Sequence, residues 1–239
     1  MNIIPPRNGE GDRAERGGGG TPLRCEDAGP PPPTASPSVP LPVSGRSKIV
    51  ILDVGCGNIG SVGIAFERFG LTPLVTADPE AIASADKVIL PGVGAAGYAM
   101  EQIDACGLAP VIRALTRPVL GICLGMQLLF EASEEEDTLC LGLIPGRVRR
   151  LAAAPARPVP HMGWSRLSVA DERIGLRDGD YVYFAHGFAC DDGPASIATA
   201  RHGRTIPAAI RQGHLLAAQF HPERSAEPGA RFLEAFLSC

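Results

Sequence analysis

"PVLGICLGMQLL", residues Pro118 to Leu129, runs from an apolar stretch through Gly121-Ile122-Cys123-Leu124-Gly125 into a helix-like segment. Two readings of Cys123 are open. Free cysteine is among the most buried residue types, so the thiol can simply fill a packed strand. Alternatively, G-x-C-x-G between a strand and a helix has the mechanics of the G-x-S-x-G elbow, a tight turn whose neighbours must be small. The side chain then stands at the C-terminal edge of a sheet, where α/β ligands bind. A helix N-terminus behind it lowers a thiol pKa and offers N–H donors.

Working outward, "KIVILD" (Lys48 to Asp53), "KVILPG" (Lys87 to Gly92) and "PVLGIC" (Pro118 to Cys123) are short, almost wholly apolar runs. Such runs suit buried parallel strands. Helical spacing lies between them at Ile59–Gly70, Tyr98–Cys106 and Leu108–Leu115. Strand alternating with helix predicts an α/β domain with a central, mostly parallel sheet flanked by helices. The later half changes character. Strands are predicted at 147–151, 181–186, 195–200, 207–212 and 215–220, joined by Gly, Pro and Asp turns. A closing helix is predicted over Ala226–Leu237. The sheet is therefore expected to be mixed.

Residues 1–46 differ from the rest. They hold "GGGG" (Gly17 to Gly20) and "PPPP" (Pro30 to Pro33), and bury too little apolar surface to offset their ordering entropy. They are expected to be a disordered extension, with one folded domain over 47–239. The 239 residues carry a formal net charge of -4 and no dense basic stripe, which gives no reason to expect nucleic acid. No apolar run approaches the ~20 residues of a membrane span, and the N-terminus lacks a signal-peptide core. Seven cysteines at irregular spacings form no CxxC pair. That disfavours a zinc site and a disulfide framework, and suits a reducing, cytoplasmic setting.

A base for Cys123 is sought among five histidines. In "QFHPERS", His221 and Glu223 follow the apolar run Leu215–Phe220. Pro222 biases His221 to extended backbone, and residues i and i+2 of an extended chain share a side. A carboxylate could then orient the imidazole, giving nucleophile, base and orienter. His161, His186, His202 and His214 lack a carboxylate two residues on. A further piece is "LPGVGAAGYAM", where Gly92, Gly94 and Gly97 allow close backbone approach. An N–H from this loop, with that of Leu124, could form an oxyanion hole; a simple turn is the commoner use of such glycines.

Taken together, "PGVG", "GICLGMQLLFE", "PHMGW", "FAHGF" and "QFHPE" resemble a class I glutamine amidotransferase, with the resemblance running from Lys48 to the C-terminus. "DVGCGNIGSV" and "PHMGWSRL" are similar to the glutaminase subunits of imidazole glycerol phosphate synthases. The resemblance implies a flavodoxin-like fold, no cofactor and no metal. It implies that Cys123 attacks the carboxamide of glutamine, His221 shuttles protons and Glu223 orients it. It further implies an oxyanion hole at Val93, Gly94 and Leu124, and substrate contacts at Gly92, Gln127, Glu135, His186, Gly187 and Phe188. Asn58, Trp164 and Arg224 match positions facing a partner subunit. This chain departs from the pattern at Val54 (usually Tyr), Ser165 (Asn), Gly187-Phe188 (Ser-Tyr) and Arg224 (Lys).

A domain over 47–239 leaves no room for a synthase, so the ammonia acceptor is expected on another chain. The resemblance implies a cyclase with a (β/α)8 barrel, a heterodimer, and a place in histidine biosynthesis. A peptide flip at Val93–Gly94 on partner binding is expected to complete the oxyanion hole. Rival readings are a glutaminase for another synthase, such as the pyridoxal phosphate one, a stand-alone γ-glutamyl hydrolase, and a binding subunit with a dead site.

Overall fold

The computed structural model describes residues 47–55, 57–155 and 157–239. The extension expected at 1–46 lies outside the described residues. The first half alternates: β1 (Ile49–Leu52), α1 (Ile59–Glu67), β2 (Leu74–Thr76), α2 (Pro79–Ala83), β3 (Lys87–Leu90), α3 (Ala96–Ala105), α4 (Leu108–Ala114), β4 (Val119–Ile122) and α5 (Leu124–Gln127). Short strands follow: β5 (Phe130–Ser133), β6 (Thr138–Leu139), β7 (Ile144–Arg150), β8 (His161–Arg166) and β9 (Ser168–Val169). The chain closes through β10 (Tyr181–His186), β11 (Phe188–Cys190), β12 (Ser196–His202), β13 (Arg204–Gln212), β14 (Leu215–Ala218) and α6 (Ala226–Leu237).

The main sheet has eight strands in the order β2-β1-β3-β4-β14-β13-β12-β9. The five from β2 to β14 run parallel, and the rest add antiparallel. The parallel half has the 2-1-3-4-5 order of flavodoxin-like sheets, whose ligands bind beyond the carboxyl ends of the strands. Two smaller sheets, β10-β8 and β11-β7-β5-β6, complete the fold.

The alternation along β1 explains the layering. Ile49 and Ile51 face one core with Val62 and Phe66 of α1 and Phe232 and Phe236 of α6. Val50 and Leu52 face the other, with Ile82 of α2, Met100 and Ile103 of α3, and Leu108 and Ile112 of α4. Side chains two apart share a sheet face, so an all-apolar strand is buried on both. Burying each such side chain stabilises the fold by roughly 1.5–3 kcal/mol.

Most predicted elements are present, with bounds shifted by a few residues; β10 and α6 have the predicted ones. The helix expected after Cys123 is one turn, and the chain then enters β5. The unit β2–α2, and strands β8, β9 and β11, were not anticipated. What positions the site is the pairing of β4 with β14. Gly121 stands opposite Ala217 and Ile122 opposite Ala218, so residues leaving the two strands emerge side by side.

Candidate active site

Cys123 leaves β4 with φ 53° and ψ -109°, a combination outside the left-handed helical well and strained for a residue with a Cβ. The turn is held by the Cys123 N–H donating to the Ala218 carbonyl at 2.7 Å, and by the Cys123 carbonyl accepting from Met126 and Gln127 N–H. The glycines answer to crowding. A Cβ on Gly125 would stand 1.8 Å from the Leu90 carbonyl oxygen, and one on Gly121 would meet Gly125 oxygen at 2.9 Å. Because α5 is only four residues long, the dipole expected behind the thiol is small. Leu124, as its first residue, keeps an N–H with no partner inside the helix.

His221 emerges just past β14. Its backbone is extended, with φ -97° and ψ 99°, as Pro222 predicts. Pro222–Arg224, however, is a 3₁₀ turn rather than extended chain. The i, i+2 alternation is therefore not what joins the pair; the turn swings the carboxylate back under the ring. His221 Nδ1 and Glu223 Oε1 are 2.9 Å apart, and both side chains are almost wholly buried. Glu223 Oε2 is buried without a hydrogen-bond partner among the described residues. The ring's backbone is fixed too. Its N–H donates to the Tyr183 carbonyl at 2.9 Å, and its carbonyl accepts from the Ser225 hydroxyl at 2.7 Å.

Burial pushes the His221 pKa down, but hydrogen bonds to the Cys123 sulfur and Glu223, with their negative charges, outweigh it and raise it to about 10. Nδ1 is committed to Glu223, so the Nε2 side faces the sulfur. At neutral pH the His221 ring is therefore held as imidazolium, with its Nε2–H turned to the sulfur.

A cavity of about 130 Å³ opens beside the thiol, lined by Val93, Gly94, Cys123, Leu124, Gln127, Glu135 and the stretch Ala185–Phe188. Gly92 is absent from the lining. A Cβ there would lie 2.5 Å from Leu124 Cβ, so this glycine serves to seat the loop on the elbow. Gly94 has φ +111° and open space where a Cβ would be. Glu135 accepts the Ala96 N–H at 2.8 Å while lining the cavity.

His186 lines the cavity, and both of its ring nitrogens have partners. Its Nδ1 lies 2.7 Å from the Phe188 carbonyl oxygen and its Nε2 3.1 Å from His161 Nδ1. Since a carbonyl only accepts, Nδ1–H donates, Nε2 accepts from His161, and His161 Nε2 accepts from the Ser165 hydroxyl at 2.9 Å. Both ring nitrogens of His186 are used. A substrate carboxylate can meet only the backbone of 186–188. Burial first, then neighbouring histidines, hold His161 down to about 3; burial likewise holds His186 to about 4. The sequence reading also passed over Gln219, fully buried beside the sulfur. A lone amide in the apolar run "LLAAQF" was the available signal.

Asn58, Trp164 and Arg224 are apart from the cavity lining. Arg224 lies over the Tyr183 ring at 5.1 Å, and Trp164 meets the same ring edge-on at 6.1 Å. Met162 on the same strand as Trp164 is 64% exposed, and Val93 is 40% exposed.

A strained thiol at the carboxyl edge of this α/β sheet faces a carboxylate-backed imidazole, an arrangement that suits nucleophile, base and orienter. Residues 57–238 match the family model described as glutamine amidotransferase class-I, and the chain belongs to that family. Within it the chain groups with the HisH subunits. It is 46% identical to "Imidazole glycerol phosphate synthase subunit HisH" of Xylella fastidiosa, over 80% of this chain and 97% of that one. It is 42% identical to the HisH 1 subunit of Vibrio vulnificus, over 80% and 98%. A solved glutamine amidotransferase covers 79% of this chain and 97% of its own with a TM-score of 0.64; at 22% identity it shows the shared fold.

Proposed function

We propose that the domain over 47–239 is the glutaminase subunit of an imidazole glycerol phosphate synthase, acting in histidine biosynthesis in the cytoplasm. Cys123, His221 and Glu223 are its catalytic residues. The observation that carries this is the buried His221–Glu223 pair, 2.9 Å apart, beside a thiol on a strained turn.

The Cys123 thiolate attacks the γ-carboxamide carbon of glutamine, forming a C–S bond. Negative charge moves to the carbonyl oxygen, where the N–H of Leu124 and one from Val93–Gly94 receive it. The imidazolium Nε2–H protonates the amide nitrogen, the C–N bond breaks, and ammonia leaves. Water then attacks the thioester carbon and gives a proton to His221. The C–S bond breaks, returning thiolate and imidazolium, and the new γ-carboxyl group gives its remaining proton to solvent as glutamate leaves.

Glu135 and Gln127 hold the α-ammonium end, and the backbone of His186, Gly187 and Phe188 meets the α-carboxylate. Gln127 can do so only through Oε1, because Nε2 already donates to the Phe188 carbonyl at 2.8 Å and to Gln219 Oε1 at 2.9 Å. The exchange of Ser-Tyr for Gly187-Phe188 removes hydroxyls but leaves those backbone groups.

The ammonia acceptor is a cyclase with a (β/α)8 barrel, docked as a heterodimer through Asn58, Trp164 and Arg224. Positive φ and open space at Gly94 support a Val93–Gly94 peptide flip on docking. Trapping tests the chemistry: the complex, quenched in acid during turnover with labelled glutamine, yields a glutamyl adduct on the Cys123 peptide. An adduct elsewhere, or none, contradicts it.

A further inference from the structure

Hydrogen-bond polarity around the sulfur can be followed from one fixed point. The Phe188 carbonyl oxygen can only accept. Two nitrogens face it, His186 Nδ1 at 2.7 Å and Gln127 Nε2 at 2.8 Å. Both must donate, which fixes the Gln127 amide with its nitrogen inward. That same nitrogen lies 2.9 Å from the side-chain amide of Gln219. A donor facing a donor is unfavourable, so the atom of Gln219 turned to Gln127 is its oxygen. The nitrogen of Gln219 is then the atom turned to Cys123, with Nε2 3.6 Å from Sγ.

The consequence for the sulfur is directional. A donated N–H gains strength when its acceptor is charged, so this bond favours thiolate over thiol. The opposing group is the Ala185 carbonyl, 3.9 Å from Sγ, which accepts from a thiol and repels a thiolate. His221 stands on a third side. Gln219 is 0% exposed, so water does not compete for its N–H, and its backbone N–H is tied to the Ala208 carbonyl at 2.9 Å.

The rear of this network is braced as well. The Phe188 carbonyl is held in place by His186, which takes the N–H of His161, which in turn takes the hydroxyl of Ser165. Two donor series therefore meet at the Phe188 carbonyl: one arrives from β8 through His161 and His186, and the other starts at Gln127, which donates both to that carbonyl and, through Gln219, toward the sulfur.

Resting on the assignment of Cys123 as nucleophile, we infer that Gln219 is a further catalytic residue, which donates its Nε2–H to the Cys123 sulfur and stabilises the thiolate that attacks.

The test is iodoacetamide alkylation of Cys123 in the full chain, followed on its peptide by mass spectrometry across pH. Gln219→Met keeps the length of the side chain and removes the donor. Gln219→Glu keeps the shape and sets a carboxylate against the sulfur, and it decides the matter should the Met variant not fold. Near neutral pH, alkylation slows roughly 10- to 100-fold; the rising limb of the pH profile moves to the alkaline side, while the alkaline plateau is kept. With the cyclase present, kcat for glutamine falls with KM little changed. A wild-type profile in either variant, or an equal loss at every pH including the plateau, overturns the role. Glutamine turnover surviving in Cys123→Ala would instead overturn the nucleophile assignment, whatever Gln219 does.

Discussion

His221 Nδ1 and Glu223 Oε1 stand 2.9 Å apart in a site where both side chains are almost fully buried. A buried carboxylate with an unsatisfied second oxygen is tolerable only beside a positive partner. It therefore favours the imidazolium, and through it the thiolate.

Replacing Glu223 by Gln removes that charge while keeping the shape. Glutamine turnover in the complex should fall roughly 10²–10⁴-fold. The wild-type His221 pKa is raised to about 10, so the imidazolium persists well above neutrality. Without the carboxylate the charged form loses support, and the alkaline limb of the pH–rate profile should move to lower pH. An unchanged limb would deny Glu223 its orienting role.

The histidines behind the cavity make an opposite prediction for stability. His161 and His186 are held at about 3 and about 4, below the ordinary histidine value of about 6.5. The unfolded chain thus binds more protons than the folded one in this range. Stability is fully present above about pH 6.5 and is lost as pH falls toward the folded values. The melting temperature should drop between pH 7 and pH 4, and less steeply in His161→Gln. His202, stacked on His161 at 4.2 Å, and Arg204 and His221, which face His186, add to the cost of charging the pair. Equal slopes in the two proteins would contradict the assignment.

Two glycines should respond in opposite directions to the same change. Gly125→Ala drives a Cβ into the Leu90 carbonyl oxygen, with a cost of about 3 kcal/mol or more. Gly63 lies inside α1 with nothing within 4 Å of an added Cβ, so Gly63→Ala should stabilise by ~0.5–1 kcal/mol. Denaturant unfolding of both variants checks the pair.

Arg224 lies over Tyr183, against which Trp164 packs edge-on. Arg224→Ala should weaken cyclase binding by about tenfold while changing fold stability by no more than ~0.5 kcal/mol. Calorimetric titration against the cyclase, with a melt as control, separates docking from folding.

The parallel half of the sheet was legible because β1, β3 and β4 are short apolar runs buried on both faces. Edge and capping pieces were not. Leu74 and Val75 of β2 are exposed on an edge strand, which leaves no alternation to read. β9 is two residues long, and β8 contains a glycine and is only half-buried. The helix-like segment read up to Leu129 is a single turn ending at Gln127, and β5 at Phe130–Ser133 was not anticipated. At the site, Cys123, His221 and Glu223 could be picked out because each follows a strand end in a short motif. Tertiary relationships were not readable: the closure of the 3₁₀ turn at Glu223, the two bonds that consume the His186 ring, and the amide of Gln219 against the sulfur.

The most direct measurement is glutamate release from glutamine by the purified chain, with and without the barrel cyclase and its nucleotide ligand, alongside Cys123→Ala. Turnover that depends on the cyclase and vanishes in Cys123→Ala is the expected result. Equal turnover without the cyclase, or turnover that survives the loss of the thiol, would contradict the account.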